Sequence, residues 1–223
     1  KIHTVHNGIK VENFAMTLSE DDSNHIYNKY GISKTAFNIL FVGRITQEKG
    51  IQELLDAFQQ LDQDMYNLII VGCSYFGSGL RTQFEKKISE KIRGNKSVIV
   101  TGFIPQDEIG YIYNVSNVAV FPSIWDEPLG LTMIEAQVAG IPLITTNVGG
   151  IPETVNKEYS RIIKCDEHIV DSIKKSIVNI KKNINEWDKK AKLAQLYAQR
   201  TFSESEYYNN FYNAIISLLE KNK

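Results

Sequence analysis

The sequence predicts an α/β fold, a parallel sheet with flanking helices, on three observations. From about Ala36 onward, short apolar runs alternate with amphipathic stretches, the pattern of repeated β-α units. The runs are continuously apolar rather than alternating, as strands covered on both faces are. A chain of 223 residues with 43% hydrophobic content can also fill one large core.

Taken in order, the chain opens with a candidate strand, IHTVH (2–6), and an Asn7-Gly8 turn. The acidic stretch SEDDSNHIYNKYG then suits a helix whose N-cap is Ser19. Five strands follow: FNILFVG (37–43), YNLIIVG (66–72), SVIVTG (97–102), NVAVFPS (117–123) and IPLITT (141–146). Ile51, Leu54, Leu55 and Phe58 recur at helical spacing after the first of these, and Ile109, Ile112, Tyr113 and Val115 form a second short stretch behind Pro105. Beyond Glu153 a short strand, SRIIKC, leads into two or three helices that run to the end of the chain.

Composition narrows the function. Lys and Arg total 25 against 26 Asp and Glu, so no basic stripe points to nucleic acid. Cys73 and Cys165 are far apart and form no Cys-x-x-Cys pair, which argues against a disulfide framework or a zinc site and for a reducing, cytoplasmic setting. No apolar run approaches the roughly 20 residues of a membrane span, and the first residues lack the features of a signal peptide. The chain starts without methionine, so we expect a piece of a longer protein.

In open parallel sheets the ligand crevice lies at the carboxyl ends of the strands, and four segments there can carry chemistry. In GRITQEKG (43–50), Arg44 and Lys49 are two cations between a strand and the next helix, suited to phosphate oxygens or simply to solvent. GCSYFGSG (72–79) comes near a Walker spacing but has no lysine after Gly77, and reads as a flexible turn. WDEPLGLTMIEA (125–136) joins a strand, a loop and a helix start. With Pro128 at the first helical position, the amides around Leu129, Gly130 and Leu131 form an anion site reinforced by the helix dipole. Glu127 then sits at its mouth, and Glu135 lies about two turns on, roughly 10 Å along the axis. One carboxylate can hold sugar hydroxyls and the other ribose hydroxyls; the alternative is a helix with two solvated acids. The fourth segment, TTNVGGIPE (145–153), frees its backbone for close approach at paired glycines, which also serve ordinary turns.

In this order, GRITQEKG, the glutamate pair of EPLGLTMIE and TTNVGGIPE resemble the carboxyl-terminal domain of retaining glycosyltransferases of family four, which have the two-domain GT-B fold. The resemblance covers most of the chain and implies a Rossmann-like domain over 36–200, with an entry and linker segment over 1–35. It implies a crossover helix over 201–223 and an amino-terminal acceptor domain outside this chain. It assigns Arg44 and Lys49 to the donor diphosphate, Glu127 to the transferred sugar as the catalytic-site residue, and Glu135 to the ribose. Leu129, Gly130 and Leu131 join the phosphate and sugar contacts, while Gly102, Phe103 and Ile104 receive the nucleobase. His3 and His6 stand at the wrong end of the motif order to be the family's acceptor-domain histidine.

The expected activity is retaining transfer of a hexose from a nucleoside diphosphate sugar, by analogy a UDP-sugar, to a glycan or lipid-linked acceptor in polysaccharide biosynthesis. No metal or cofactor is expected, because the cations and helix start neutralise the departing diphosphate. This chain alone is expected to be inactive. Two alternatives remain at this stage: a non-catalytic sugar-nucleotide-binding module, and a carbohydrate phosphorylase of related fold. The Lys-rich stretch from Lys174 to Lys192 raises peripheral association with the inner face of a membrane, against the plainer reading of a solvated helix face.

Overall fold

A computed structural model describes residues 3–73 and 82–220. Most of the proposed turn at 72–79 lies outside the described residues.

Six parallel strands form one sheet: β1 (Phe37–Val42), β2 (Tyr66–Val71), β3 (Val98–Gly102), β4 (Val118–Phe121), β5 (Leu143–Thr146) and β6 (Arg161–Ile163). Their spatial order is β3-β2-β1-β4-β5-β6. The order reverses between β1 and β4, so the loops leaving these two strands flank the topological switch point, where open α/β sheets bind ligands. Those loops are GRITQEKG and the segment that carries Glu127.

The four central strands are buried along their whole length, as their continuous apolar runs require. β3 departs from that expectation, since Val100 is 48% exposed. It is an edge strand, and an edge strand has a neighbour on one side alone.

The helices are α1 (Glu20–Tyr30), α2 (Ile51–Phe58), α3 (Gln83–Lys91), α4 (Ile109–Asn114), α5 (Leu131–Ala139), α6 (Ile151–Thr154), α7 (Ile169–Lys182), α8 (Ile184–Thr201) and α9 (Glu204–Glu220). Ser19 caps α1 by accepting from the Asp22 amide at 3.1 Å, with Glu20, Asp21 and Asp22 in the first turn. Ile51, Leu54, Leu55 and Phe58 are all buried, and α2 packs on α7 while α5 packs on α8. Among the described residues no helix is long and apolar enough to cross a membrane. Several lysines of the 174–192 stretch are tied locally: Lys175 to Asp171, Lys190 to Glu186, and Lys181 over the Tyr66 ring.

The strand expected at IHTVH does not form over its described residues, 3–6, which run irregularly. This segment pairs with neither edge strand, β3 or β6. It lies instead against the junction of α8 and α9. The Ile9 amide donates to the Phe202 carbonyl at 2.8 Å, and the Glu204 amide donates to the Ile9 carbonyl at 3.1 Å. Further along, Phe14, Ile26 and Ile32 are buried in the main core. α9 buries none of its residues and exposes Tyr208, Phe211, Tyr212, Ile215, Leu218 and Leu219.

Candidate functional site: a cleft at the switch point

The loop after β1 is held by its own geometry. Ile45 is buried as an anchor, a 3-10 turn spans Gln47–Lys49, and Gly50 ends it at φ 67°. A Cβ on Gly50 would lie 1.9 Å from the Pro122 carbonyl oxygen, so only glycine allows this close approach to the end of β4. The Ile124 amide donates to the Glu48 carbonyl at 2.9 Å and fastens the two loops together. Lys49 is thereby brought to Glu127, and the ammonium pairs with the carboxylate although 78 residues separate them in sequence. Both are mostly shielded, with side-chain exposures of 27% and 15%. Arg44, at the start of the same loop as Lys49, is exposed.

The helix after β4 starts later than Pro128 implies. Gly130 adopts φ 79° and serves as N-cap, so the first helical residue is Leu131. A left-handed residue cannot continue a right-handed helix, and this overrides the preference of proline for a first turn. Only part of the Glu127 to Glu135 separation is therefore helical. Pro128, Leu129 and Gly130 form the loop, and the open amides of the helix begin at Leu131.

The paired glycines of TTNVGGIPE approach this loop. Gly149 has φ 57°, and a Cβ there would lie 2.5 Å from both the amide nitrogen and the carbonyl oxygen of Glu127; one on Gly150 would lie 2.2 Å from the Pro128 oxygen. The Gly150 amide donates to the Glu127 carbonyl at 2.7 Å, and the Thr154 hydroxyl donates to the Leu129 carbonyl at 3.0 Å. The fourth motif thus acts as a clamp on the loop that presents Glu127.

Glu135 is buried, 8% exposed, and accepts a 2.9 Å hydrogen bond from the Tyr113 hydroxyl. It is not the solvated acid of the plainer sequence reading. Burial raises its pKa above the usual carboxylate value, and the Tyr113 bond partly opposes that rise. A carboxyl with a raised folded-state pKa favours the fold in its protonated form. Its contribution is full below the unfolded pKa of about 4.3 and is lost as pH rises through the folded value. Glu135→Gln should therefore raise the melting temperature at neutral pH and raise it less at pH 4, as melting curves at the two pH values would show.

Glu135 also lines a cleft of about 350 Å3 together with Val42, Val71, Phe103, Ile104 and Thr132. Phe103 is 54% exposed and Ile104 buried, so the loop after Gly102 offers the cleft an apolar wall. The structure thus gathers Phe103, Ile104 and Glu135 around one cleft, and pairs Lys49 with Glu127 on the loops after β1 and β4. The sequence reading missed two features of this arrangement. The first is the ion pair between Lys49 and Glu127. The second is Tyr113, whose one signal was a phenol among the aliphatic residues of a helical stripe.

Residues 22–195 match the family described as Glycosyl transferases group 1. The chain is 30% identical over 163 residues to an uncharacterized glycosyltransferase of Methanocaldococcus jannaschii, covering 73% of this chain and 40% of that protein. It is 36% identical over 166 residues to the capsular polysaccharide biosynthesis glycosyltransferase CapM of Staphylococcus aureus, with coverages of 71% and 40%. In structure it resembles Anabaena HepE, solved in complex with UDP-glucose, with a TM-score of 0.83 at 21% identity, over 96% of this chain and 57% of that one. The C-terminal domain of LpcC, a glycosyl transferase group 1 family protein of Francisella tularensis, matches with a TM-score of 0.67 at 21% identity, over 88% of this chain and 99% of that domain. The chain spans 40% of the length of each of the two sequence relatives and 57% of HepE.

Proposed function

The chain belongs to the glycosyl transferases group 1 family, and from that premise we propose that it is the donor-binding half of a GT-B enzyme of family four that takes a nucleoside diphosphate sugar. One observation carries this reading: loops at the switch point present an apolar cleft lined by Glu135, and the ion pair of Lys49 and Glu127 stands on the loops that leave β1 and β4 at the same end of the sheet. We lay a donor along these groups from base to sugar. Phe103 and Ile104 cover the base, Glu135 accepts from the ribose hydroxyls, and Arg44, Lys49 and the amides at Leu131 hold the diphosphate. Glu127 accepts from hydroxyls of the transferred hexose and orients it.

We take the donor to be a UDP-hexose and the acceptor a glycan or lipid-linked sugar. The UDP-glucose complex of HepE and the place of CapM in capsular polysaccharide biosynthesis favour this choice. Transfer proceeds with retention, at the cytoplasmic side of the membrane, and needs the acceptor-binding half of the enzyme. As the bond between sugar and diphosphate breaks, negative charge grows on the leaving oxygens, and Arg44, Lys49 and the helix start stabilise it without a metal.

Calorimetric titration tests the reading. The chain should bind UDP, and Arg44→Ala should weaken UDP by about 1.5–3 kcal/mol, the worth of a charge-assisted contact, while leaving uridine unchanged. Adding a chelator should change neither titration. Equal losses for UDP and uridine would put Arg44 outside the diphosphate site, and a chelator-sensitive affinity would overturn the metal-free account.

A further inference from the structure

Tyr113 lies on α4, has no exposed surface, and is one of the largest fully buried side chains of the domain. Its hydroxyl faces α5, with the Glu135 carboxylate at 2.9 Å and the Thr132 carbonyl at 3.3 Å, one turn before Glu135 on the same helix. A buried phenol needs a partner for its hydroxyl, and a buried carboxylate needs a donor. Each group here supplies what the other lacks.

The ring itself is fixed from behind. Phe14 packs edge-on against it at 5.7 Å, and the Asn114 amide donates to the Phe14 carbonyl at 3.3 Å and to the Gly110 carbonyl at 2.8 Å. A Cβ on Gly110 would lie 1.8 Å from the Asn13 carbonyl oxygen, so α4 sits tightly on the 10–15 segment. The phenol is therefore a rigid post, and the Glu135 carboxylate is its load.

We propose that Tyr113 is a positioning residue that holds the Glu135 carboxylate toward the cleft and thereby sets the protein's preference for a ribose that carries its 2′ and 3′ hydroxyls. The proposal rests on the donor-binding reading given above. One carboxylate oxygen is occupied by Tyr113, and the other is left to accept from the ligand. Without the phenol, Glu135 has no fixed rotamer and gains by turning toward any other donor or by taking up a proton. Tyr113 touches no ligand atom in this scheme and acts only through Glu135.

The test uses the whole chain, with three probes titrated calorimetrically: UDP, its 2′,3′-dideoxy counterpart, and inorganic pyrophosphate. Wild type should prefer UDP over the dideoxy compound by about ten-fold or more, the scale of hydrogen bonds to a charged group. Tyr113→Phe keeps the ring and its packing, and should bring that preference to within about three-fold while leaving pyrophosphate affinity unchanged. A Tyr113→Phe protein that keeps the full preference overturns the proposal. So does one that loses affinity for all three probes by the same factor, which would make Tyr113 a purely structural residue. A wild type that binds UDP without preferring it to the dideoxy compound refutes the ribose role of Glu135, and a wild type that binds neither refutes the donor reading beneath it. A second measurement does not depend on the variant folding. In wild type labelled at the tyrosine ring carbons, the Tyr113 signal should shift on adding UDP and stay in place on adding pyrophosphate; equal shifts with both overturn the proposal.

Discussion

Lys49→Ala is expected to weaken UDP by about 1.5–3 kcal/mol, roughly ten- to a hundred-fold, while Glu127→Gln is expected to tighten it. The two variants move in opposite directions because the ammonium and the carboxylate are partners of each other. A diphosphate must draw Lys49 away from Glu127, and the energy of their contact is subtracted from the affinity. With both side chains less than a third exposed, solvent screens the pair only in part. Glu127→Gln removes the competing charge at nearly constant shape and leaves Lys49 to the phosphate. In the Lys49→Ala background the same change should lose its benefit, so a double-mutant cycle by calorimetry reads the coupling directly. If Glu127→Gln leaves UDP affinity unchanged in wild type, Lys49 does not exchange the carboxylate for the diphosphate. On the proposed assignment of Glu127 to the sugar, the same exchange would release its carboxylate when a diphosphate occupies Lys49.

The second large effect is expected at Gly149. Gly149→Ala meets two penalties at once: a left-handed backbone at φ 57°, and a Cβ 2.5 Å from the backbone of Glu127. Left-handed strain alone costs on the order of 1–3 kcal/mol, and the contact adds to it because backbone, not a flexible side chain, is what the new methyl strikes. Gly94→Ala is the matched control, since Gly94 has φ 78° and nothing within 4 Å of its Cβ position. Each kcal/mol lowers the melting temperature by roughly 2–4 °C in a domain of this size, so melting curves can separate the two variants. Gly149→Ala should fall further than Gly94→Ala and should also blunt the Lys49 and Glu127 effects on UDP by shifting their loop. Equal falls, with UDP binding intact in both, would mean that the Gly149 turn does not hold the Glu127 loop.

The parts of this protein that could be read from sequence are those whose cause is local. β1, β2, β4 and β5 are buried on both faces, so every residue in them answers to the same demand and the runs are plain. Ser19 caps α1 through a contact three residues away. The features that escaped depend on partners far along the chain. IHTVH has a strand's composition, but the chain that follows it is held through Ile9 at the junction of α8 and α9 rather than at a sheet edge. Pro128 points to an α5 start there, but Gly130 is left-handed and delays it, and the loop between them packs against Gly149 and Gly150 from a distant segment. The motif segments after β1, β4 and β5 were legible because residues that follow parallel strands collect at the carboxyl end of the sheet. Which side chains meet there was not legible: Lys49 with Glu127, and Tyr113 with Glu135.

The proposed arrangement puts the two glutamates at opposite ends of one donor, Glu135 at the ribose and Glu127 at the sugar. Its most direct measurement is calorimetric titration of UDP and of the UDP-hexose against Glu135→Ala and Glu127→Ala. Glu135→Ala should weaken both ligands by similar factors, since both carry the ribose. Glu127→Ala should bind UDP at least as tightly as wild type, while the hexose conjugate loses whatever advantage the carboxylate gave it, and transfer by the enzyme that contains both halves should fall further than binding does. The contrary result is a Glu127→Ala protein that no longer binds UDP beside a Glu135→Ala protein that binds it normally.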